Sequence, residues 1–474
     1  MKYQWVVLSV TTVGIFMAGL DTRIVLIGLP TIAESLHADL ETLLWVTQGY
    51  QFALTIGLLA LGRMTDIFGR VKIYNLGFAI FTLGSGLCVF AQSGEQLVLS
   101  RVVQGIGGAM LITNSAALIT DATPSQELGF ALGVNQIALT LGAVLGLTVG
   151  GVLIETAGWR TIFLLNVPVG IFGTLWAHSR LREVWKKTAH PRFDYLGLVL
   201  FTTGLTSLLL VISFATMNAI GSLEAAALYL TSLVAFSLFI RFESHRDEPL
   251  LDLRLFRIRL FSAGNLSQLL YSLGFGSLSL IIVLYLQLVR GYDALTAGLL
   301  FLPLDLAFVT VGPISGKLSD QYGTRTLATL GMGVASLGYI LLTFLLGLET
   351  PIIQVEIILV VIGIGMGLFS SPNISAVMGS VPAQRRGVAS AIRATLFNTG
   401  NVVSVGLVAF IITTAIPYSV VSSIIVGGYT SLTPEDAVGF VAGISRAFIV
   451  AAAITLTGMF ASSLRGPKRQ ENSV

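Results

Sequence analysis

Two residues of opposite charge stand beside long uncharged runs in the first quarter of the chain and could together handle a proton. Asp21 follows residues 5–20, and Arg101 precedes residues 102–120. If both runs are membrane helices, Asp21 lies about 12 Å and Arg101 about 8 Å from the nearer helix end, so their depths allow an ion pair. A cavity that opened and closed over Asp21 would change whether it holds a proton. The alternative is a static structural pair.

Asp305 interrupts another apolar stretch, residues 295–315. It lies about 15 Å deep at the helical rise, near the middle of a bilayer core about 30 Å thick. Placing a charged carboxylate at this depth costs free energy, so such a residue usually has a function. Asp305 could bind a substrate's positive charge or carry a proton; structurally, it could stay protonated and hydrogen-bonded to a neighbouring helix. Arg23 could pair with Asp21 or Asp305, attract an anionic substrate, or extend to the membrane surface.

The composition sets the class of protein. Of 474 residues, 54% are hydrophobic and 11% are charged, whereas soluble proteins have about 25% charged residues. This excludes a soluble globular enzyme, and no Ser/His/Asp or Cys/His set suggests catalysis. The single cysteine, Cys88, cannot form an internal disulfide, and the four histidines lack the spacing of zinc ligands. We expect no metal or organic cofactor, and no basic domain suggests nucleic-acid binding.

The apolar stretches recur at the length of membrane helices. About 20 apolar residues span a bilayer as a helix, far more than a barrel strand needs. We therefore predict an all-α integral membrane protein with fourteen transmembrane helices. They occupy residues 5–29, 43–62, 73–92, 96–119, 130–154, 160–180, 195–215, 222–241, 260–288, 295–315, 327–347, 352–372, 387–412 and 438–463.

The loop charges orient these helices. The first apolar run follows Lys2 but has no small-residue cleavage site, so we interpret it as a retained helix rather than a signal peptide. With the N-terminus inside, most Lys and Arg residues fall in inner loops and tails, whereas the outer loops hold only Arg160 and Arg290. Because cytoplasmic loops carry such an excess, both termini are predicted to be cytoplasmic.

A short motif occurs twice. GRMTDIFGRVK (residues 62–72) follows the second predicted helix, and GKLSDQYGTR (residues 316–325) follows the tenth. The copies share a glycine, a basic residue, an aspartate and a second glycine at the same topological position. Duplicated halves with parallel topology would produce this repeat.

The repeated loop resembles the signature of the major facilitator superfamily. Other segments are similar to its fourteen-helix drug:proton antiporter branch, namely LDTRIVLIGLP (20–30), RVVQGIGGAM (101–110), GAVLGLTVGGVL (142–153) and WRTIFLLNVPVG (159–170). The resemblance implies two six-helix bundles, residues 1–185 and 260–474, joined by two extra helices with cytoplasmic linkers, residues 186–259. It also implies an inner latch between the bundles, which we assign to Gly62, Asp66, Gly69, Arg70, Asp320 and Arg325. If these loop residues only oriented the chain in the membrane, the arginines and lysines would be explained but the repeated aspartate and glycine would not.

The chain departs from this branch in two places. Arg23 stands where the branch usually has threonine, and Leu147 follows Gly146 where a glycine-proline pair is expected. The remaining small residues of that helix, Gly142, Gly146 and Gly150, form a face on which another helix can pack closely.

Together these features predict a secondary transporter of the plasma membrane that exports amphipathic, often cationic compounds in exchange for protons. Asp21, Arg101, Asp305 and Arg23 are its candidate proton-coupling or substrate-binding residues. Its expected partners are a small-molecule substrate and the lipid bilayer, with the proton as coupling ion, and we expect a monomer. The sequence has no Walker A loop for ATP. Two alternatives stay open: a carrier of an organic anion or metabolite that uses Arg23 and Arg101, and a non-transporting membrane sensor on the same scaffold.

Overall fold

The computed structural model describes residues 2–38, 40–124, 126–183, 194–216, 221–246, 251–292, 294–382, 385–416 and 433–466. These residues form helices and connecting turns without a strand, so the predicted all-α fold is confirmed. The helices of the first half are α1 (Tyr3–Leu36), α2 (Leu40–Phe68), α3 (Arg70–Phe90), α4 (Gly94–Ala122), α5 (Leu128–Ala157), α6 (Arg160–Leu164) and α7 (Asn166–Arg180).

The remaining helices follow in the same pattern. They are α8 (Tyr195–Thr216), α9 (Ser222–Glu243), α10 (Arg259–Phe275), α11 (Leu278–Leu284), α12 (Ala294–Tyr322), α13 (Thr324–Leu345), α14 (Ile352–Gly379), α15 (Arg386–Thr413) and α16 (Pro434–Ser463), with a 3₁₀ turn at Leu253–Arg257 and a π-helical turn at Tyr285–Val289. Within the described residues, thirteen helical stretches are long and apolar enough to cross a membrane. Each predicted span coincides with a helix or a pair of consecutive helices; α2, with 29 residues, is the predicted span outside that set of thirteen.

The second glycine of each repeat makes the turn between two helices. Gly69 between α2 and α3 has a φ of 102°, and Gly323 between α12 and α13 has a φ of 89°. A residue with a Cβ is strained in this part of backbone space. The repeated glycines therefore allow an abrupt turn between consecutive spans.

Glycines also set how closely α1 and α5 approach. A Cβ on Gly146 would lie 2.6 Å from the carbonyl oxygen of Leu20, and one on Gly142 would collide with that of Phe16. In the opposite direction, a Cβ on Gly19 would collide with the carbonyl of Leu139. Backbones meet this closely only where side chains are absent. The predicted packing face on α5 thus lies against the segment of α1 that carries Asp21.

The two ends of the molecule differ in how the halves pack. We call the end that carries the α2–α3 and α12–α13 turns the inner end, and the opposite end the outer end. At the inner end one apolar cluster includes side chains from both halves, among them Leu58, Ile119, Leu132, Val377 and Ala391. Towards the outer end the halves have separate clusters, around Ile24 in one half and Phe301 in the other. The halves are therefore joined at the inner end and separate towards the outer end.

Candidate functional site

Asp21 lies in a closed polar cluster inside the first half. Its Oδ2 is 2.5 Å from Nη1 of Arg101, and its Oδ1 accepts hydrogen bonds from Gln104 Nε2 at 2.8 Å and from Asn166 Nδ2 at 3.0 Å. Gln104 also accepts from Arg101 and donates to Ser85 Oγ at 2.8 Å. All five side chains are buried, and Asp21 is 0% exposed. The carboxylate is thus held by three donors from α4 and α7 and has no contact with solvent.

The spacing on α4 builds this cluster. Arg101 and Gln104 are three residues apart and therefore share a helix face. On a neighbouring face, Gly105 lets α2 approach, since a Cβ there would lie 2.5 Å from the carbonyl oxygen of Tyr50. The guanidinium carbon of Arg101 consequently lies 4.4 Å from the centre of the Tyr50 ring, and its Nε donates to the carbonyl of Val46 at 3.1 Å. Close packing of α2 on α4 thus completes the surroundings of Arg101.

Asp305 and Arg23 meet across the two halves. Nη1 of Arg23, in α1, is 3.4 Å from Oδ2 of Asp305, in α12, although the residues are 282 apart in the chain. The Arg23 side chain is 23% exposed and that of Asp305 is 7% exposed. Phe301, one turn before Asp305, lies with its ring centre 5.9 Å from the guanidinium carbon. Unlike the Asp21 cluster, this pair is loose, and its Arg23 side chain is partly exposed whereas Asp305 is buried.

At the inner end, Asp121 joins three helices of both halves. Its carboxylate at the end of α4 pairs with Arg70 of α3 and, through Oδ1 at 3.1 Å, with Arg386 of α15. Arg386 also donates to the carbonyl of Thr120 at 3.3 Å. The predicted latch residue Arg70 therefore contacts a carboxylate that also binds the other half. The side chains of Asp66 and Asp320 lie outside the described part of the structure, and Arg325 forms no ion pair with a described residue.

The first glycine of each repeat packs against the opposite half. A Cβ on Gly62 of α2 would collide with Ala391 of α15, and a Cβ on Gly316 of α12 would collide with the carbonyl of Gly129 in α5. Ser371 of α14 adds a hydrogen bond of 2.9 Å to the Gly129 carbonyl. The repeat thus supplies two equivalent close contacts, which hold the two halves together at the inner end in this conformation.

We expect Gly316→Leu to open the inner end and to abolish cycling between conformations, because a side chain there cannot coexist with the Gly129 carbonyl. Gly312→Leu is the matched control, since a Cβ at Gly312 on the same helix has no neighbour within 4 Å. The measurement is maleimide labelling of Ser371→Cys in a Cys88→Ser background. Faster labelling with Gly316→Leu alone is expected; equal labelling in both variants would contradict this role of Gly316.

Asp121→Asn should also raise labelling at position 371, since the amide loses the charge that ties Arg386 to α4. The control is Asp252→Asn, which removes a carboxylate 3.6 Å from Arg385 at the same end; this carboxylate pairs the second half with the connecting segment rather than with the first half. The expected result is a several-fold faster reaction with Asp121→Asn and no change with Asp252→Asn. A wild-type rate in Asp121→Asn would show that the Asp121 pairs do not hold the halves together.

Several residues of these clusters were missed by the sequence prediction. Gln104, Asn166 and Ser85 are neutral polar residues of the kind common in helices. Gln104 and Asn166 lie in the segments 101–110 and 159–170 that resemble the family, and this position was the signal that could have identified them. Asp121 and Arg386 lie at helix ends, where charged residues are ordinary. The described residues contain no group of three or more His, Cys, Asp or Glu side chains that could hold a metal ion.

Comparisons with known proteins agree with the architecture. Residues 11–405 match the family model described as Major Facilitator Superfamily. The chain is 31% identical over 400 residues to riboflavin transporter RibZ of Clostridioides difficile, covering 84% of this chain and 86% of the relative. It is 30% identical over 392 residues to multidrug resistance protein Stp of Mycobacterium tuberculosis (strain CDC 1551 / Oshkosh), covering 82% and 72%.

A solved structure shares the fold. The crystal structure of the human organic anion transporter MFSD10 superposes with a TM-score of 0.67 over 97% of this chain and 99% of that one, at 14% identity. The membrane-length helices, the repeated loop and the family match lead to one assignment. The chain is a multi-pass membrane transporter that belongs to the major facilitator superfamily.

Proposed function

We propose that this transporter exports amphipathic compounds in exchange for protons across the plasma membrane, with both termini in the cytoplasm. The observation that carries this proposal is Asp305, a carboxylate deep in α12 that is 5% exposed and pairs with Arg23 of the other half of the molecule. A carboxylate in this place can bind either a proton or a positively charged group of a substrate. Competition between the two would couple their movements in opposite directions.

The packing supports alternating access. The halves share an apolar cluster at the inner end and have separate clusters towards the outer end, so we take this conformation to be the outward-facing one. Release of substrate and entry of a proton would occur here. The contacts of Gly62, Gly316 and Asp121 would then break to expose the site to the cytoplasm, as two rocking bundles require. We assign the bundles to residues 1–185 and 260–474 and the connecting helices to residues 186–259.

The proton gradient supplies enough energy for this exchange. A potential of 100 mV is worth about 2.3 kcal/mol per charge, which is close to a fifty-fold concentration gradient for one proton per cycle. Asp21 would take part through its bond to Arg101, because a change in that pair alters the packing of α1 against α4. The proton is therefore the proposed coupling ion, and no organic cofactor is needed.

The names of two relatives support transport of small organic molecules. One is named as a multidrug resistance protein and another as a riboflavin transporter. The second candidate function is transport of an organic anion. It is favoured by Arg23, a cation with 23% of its side chain exposed between the halves. A non-transporting sensor has no comparable support, because close relatives over most of the chain are named as transporters.

The test is substrate-evoked proton movement in proteoliposomes that contain the purified full-length chain and an internal pH-sensitive dye. The probes are tetraphenylphosphonium as a lipophilic cation, p-aminohippurate as an organic anion and rhodamine B as a compound that carries both charges. Antiport predicts a proton flux opposite to movement of the cation. Flux evoked by the anion alone would favour the organic-anion carrier, and the absence of any flux would contradict proton coupling.

A further inference from the structure

One acidic and one basic side chain from opposite halves of the molecule pair with each other at α12. Asp305 contributes one negative charge and Arg23 one positive charge, with 3.4 Å between their nearest atoms. Asp21 cannot add to this balance, because it is fully buried and already bound by Arg101, Gln104 and Asn166. A ligand that binds at this pair therefore meets a dipole rather than a single charge.

We infer that this site selects electroneutral, dipolar compounds. Such a substrate presents a cationic group to Asp305 and a carboxylate or similar acceptor to Arg23, on an aromatic scaffold. The inference rests on the proposed function, in which these residues form the substrate site. It narrows the substrate class from amphipathic compounds in general to zwitterions.

A ligand with a single charge would leave either Arg23 or Asp305 without its counterion, which costs free energy. A purely cationic ligand that binds Asp305 leaves the Arg23 guanidinium without its counterion in a partly buried position, and a purely anionic ligand leaves Asp305 in the same way. Removing one partner of a buried charged pair costs far more than exchanging both partners. A dipolar ligand replaces each charge with another and leaves neither residue unpaired.

The distance between Arg23 and Asp305 allows a ligand to replace both partners of the pair. Charge-assisted hydrogen bonds of good geometry are about 2.7–2.9 Å long, so the 3.4 Å pair is loose and both side chains retain some exposure. Phe301 lies on the same face of α12 as Asp305, one turn away, and its ring is near the Arg23 guanidinium. The Phe301 ring is 3% exposed, so an aromatic ligand stacks on it only after the Arg23 guanidinium has moved away from Asp305. Separation of the pair thus uncovers two opposite charges beside an apolar ring.

The experiment compares three xanthene dyes of similar shape: rhodamine B, which is a zwitterion, its ethyl ester, which is a cation, and fluorescein, which is an anion. Equilibrium binding to the purified full-length chain in lipid nanodiscs is measured by fluorescence anisotropy, with empty nanodiscs subtracted. Wild type should bind rhodamine B at least about tenfold more tightly than either other dye, the factor that one unpaired charged group implies. Arg23→Met should move the preference to the ethyl ester, and Asp305→Asn should move it to fluorescein.

Glu34→Gln is the matched control, since Glu34 is exposed on α1, and it should keep the wild-type order. Wild type that prefers the ester, binds the dyes equally or binds none of them would overturn the inference, as would an unchanged preference in Arg23→Met. Binding at equilibrium requires no proton movement. A failure of the dye preference with intact proton flux therefore rejects the dipolar substrate alone, whereas loss of proton flux with the expected dye order rejects antiport alone.

Discussion

Arg101→Met should be among the most destabilising single substitutions in the chain. It leaves the Asp21 carboxylate fully buried without its cation, although Gln104 and Asn166 still donate to it. Removing one partner of a buried ion pair typically costs about 3–5 kcal/mol. We expect a loss of that order in the free energy of unfolding in mixed micelles, measured by denaturant titration of the tryptophan fluorescence.

The double variant Asp21→Asn with Arg101→Met separates charge from packing. An asparagine keeps the shape of Asp21 and can still accept from Gln104, so most of the lost stability should return. Glu34→Gln, an exposed change on the same helix, should leave stability within about 0.5 kcal/mol of wild type. If Arg101→Met is as stable as the double variant, Asp21 is not charged in the folded protein and the ion pair is not what holds α1 against α4.

Asp305→Asn should abolish proton coupling while leaving the fold intact. An asparagine is close to aspartate in size and can accept from Arg23, but it cannot bind and release a proton. Proton flux evoked by substrate in proteoliposomes should fall to the level of empty liposomes. Exchange of labelled for unlabelled substrate across the same membrane needs no net proton movement and should survive to the extent that substrate still binds.

The control for this prediction is again Glu34→Gln, which removes an exposed carboxylate from α1. It should retain full proton flux. Proton flux at the wild-type level in Asp305→Asn would move the coupling site elsewhere, and Asp21 would be the next carboxylate to test. Loss of flux in Glu34→Gln would instead point to a general effect of surface charge at the membrane.

The helices could be predicted because the bilayer imposes their length. In a chain this apolar, an uncharged run of about 20 residues has few structures open to it other than a membrane-spanning helix. The spans and the all-α fold could therefore be predicted from the sequence. Gly62 and Gly69 could be recognised because the same loop occurs twice. Their different roles, a contact between halves for Gly62 and a turn for Gly69, emerge only from the packing and the backbone angles.

The partners of the charged residues were less predictable. The depths of the residues along their predicted helices allowed Asp21 to pair with Arg101. They left open whether Arg23 pairs with an aspartate, binds an anionic substrate or extends to the membrane surface. The structure shows Arg23 against Asp305 because α1 and α12 face each other, a relation between residues 282 apart that spacing along one helix cannot reveal. Asp121 was overlooked since a carboxylate at the end of a span is ordinary, and its significance depends on Arg386 arriving from the other half.

The central claim is that a proton gradient drives substrate against its own gradient through the Asp305 site. Its most direct test uses the fluorescent xanthene dye that the wild-type chain binds most tightly as the probe. Accumulation of this probe is measured in proteoliposomes with an imposed pH gradient and with the membrane potential clamped by potassium and valinomycin. The account predicts uphill accumulation of the probe in the compartment from which protons leave, which disappears when nigericin collapses the gradient and in Asp305→Asn. Accumulation that persists without the gradient, or a gradient that leaves the probe evenly distributed in wild type, would contradict it.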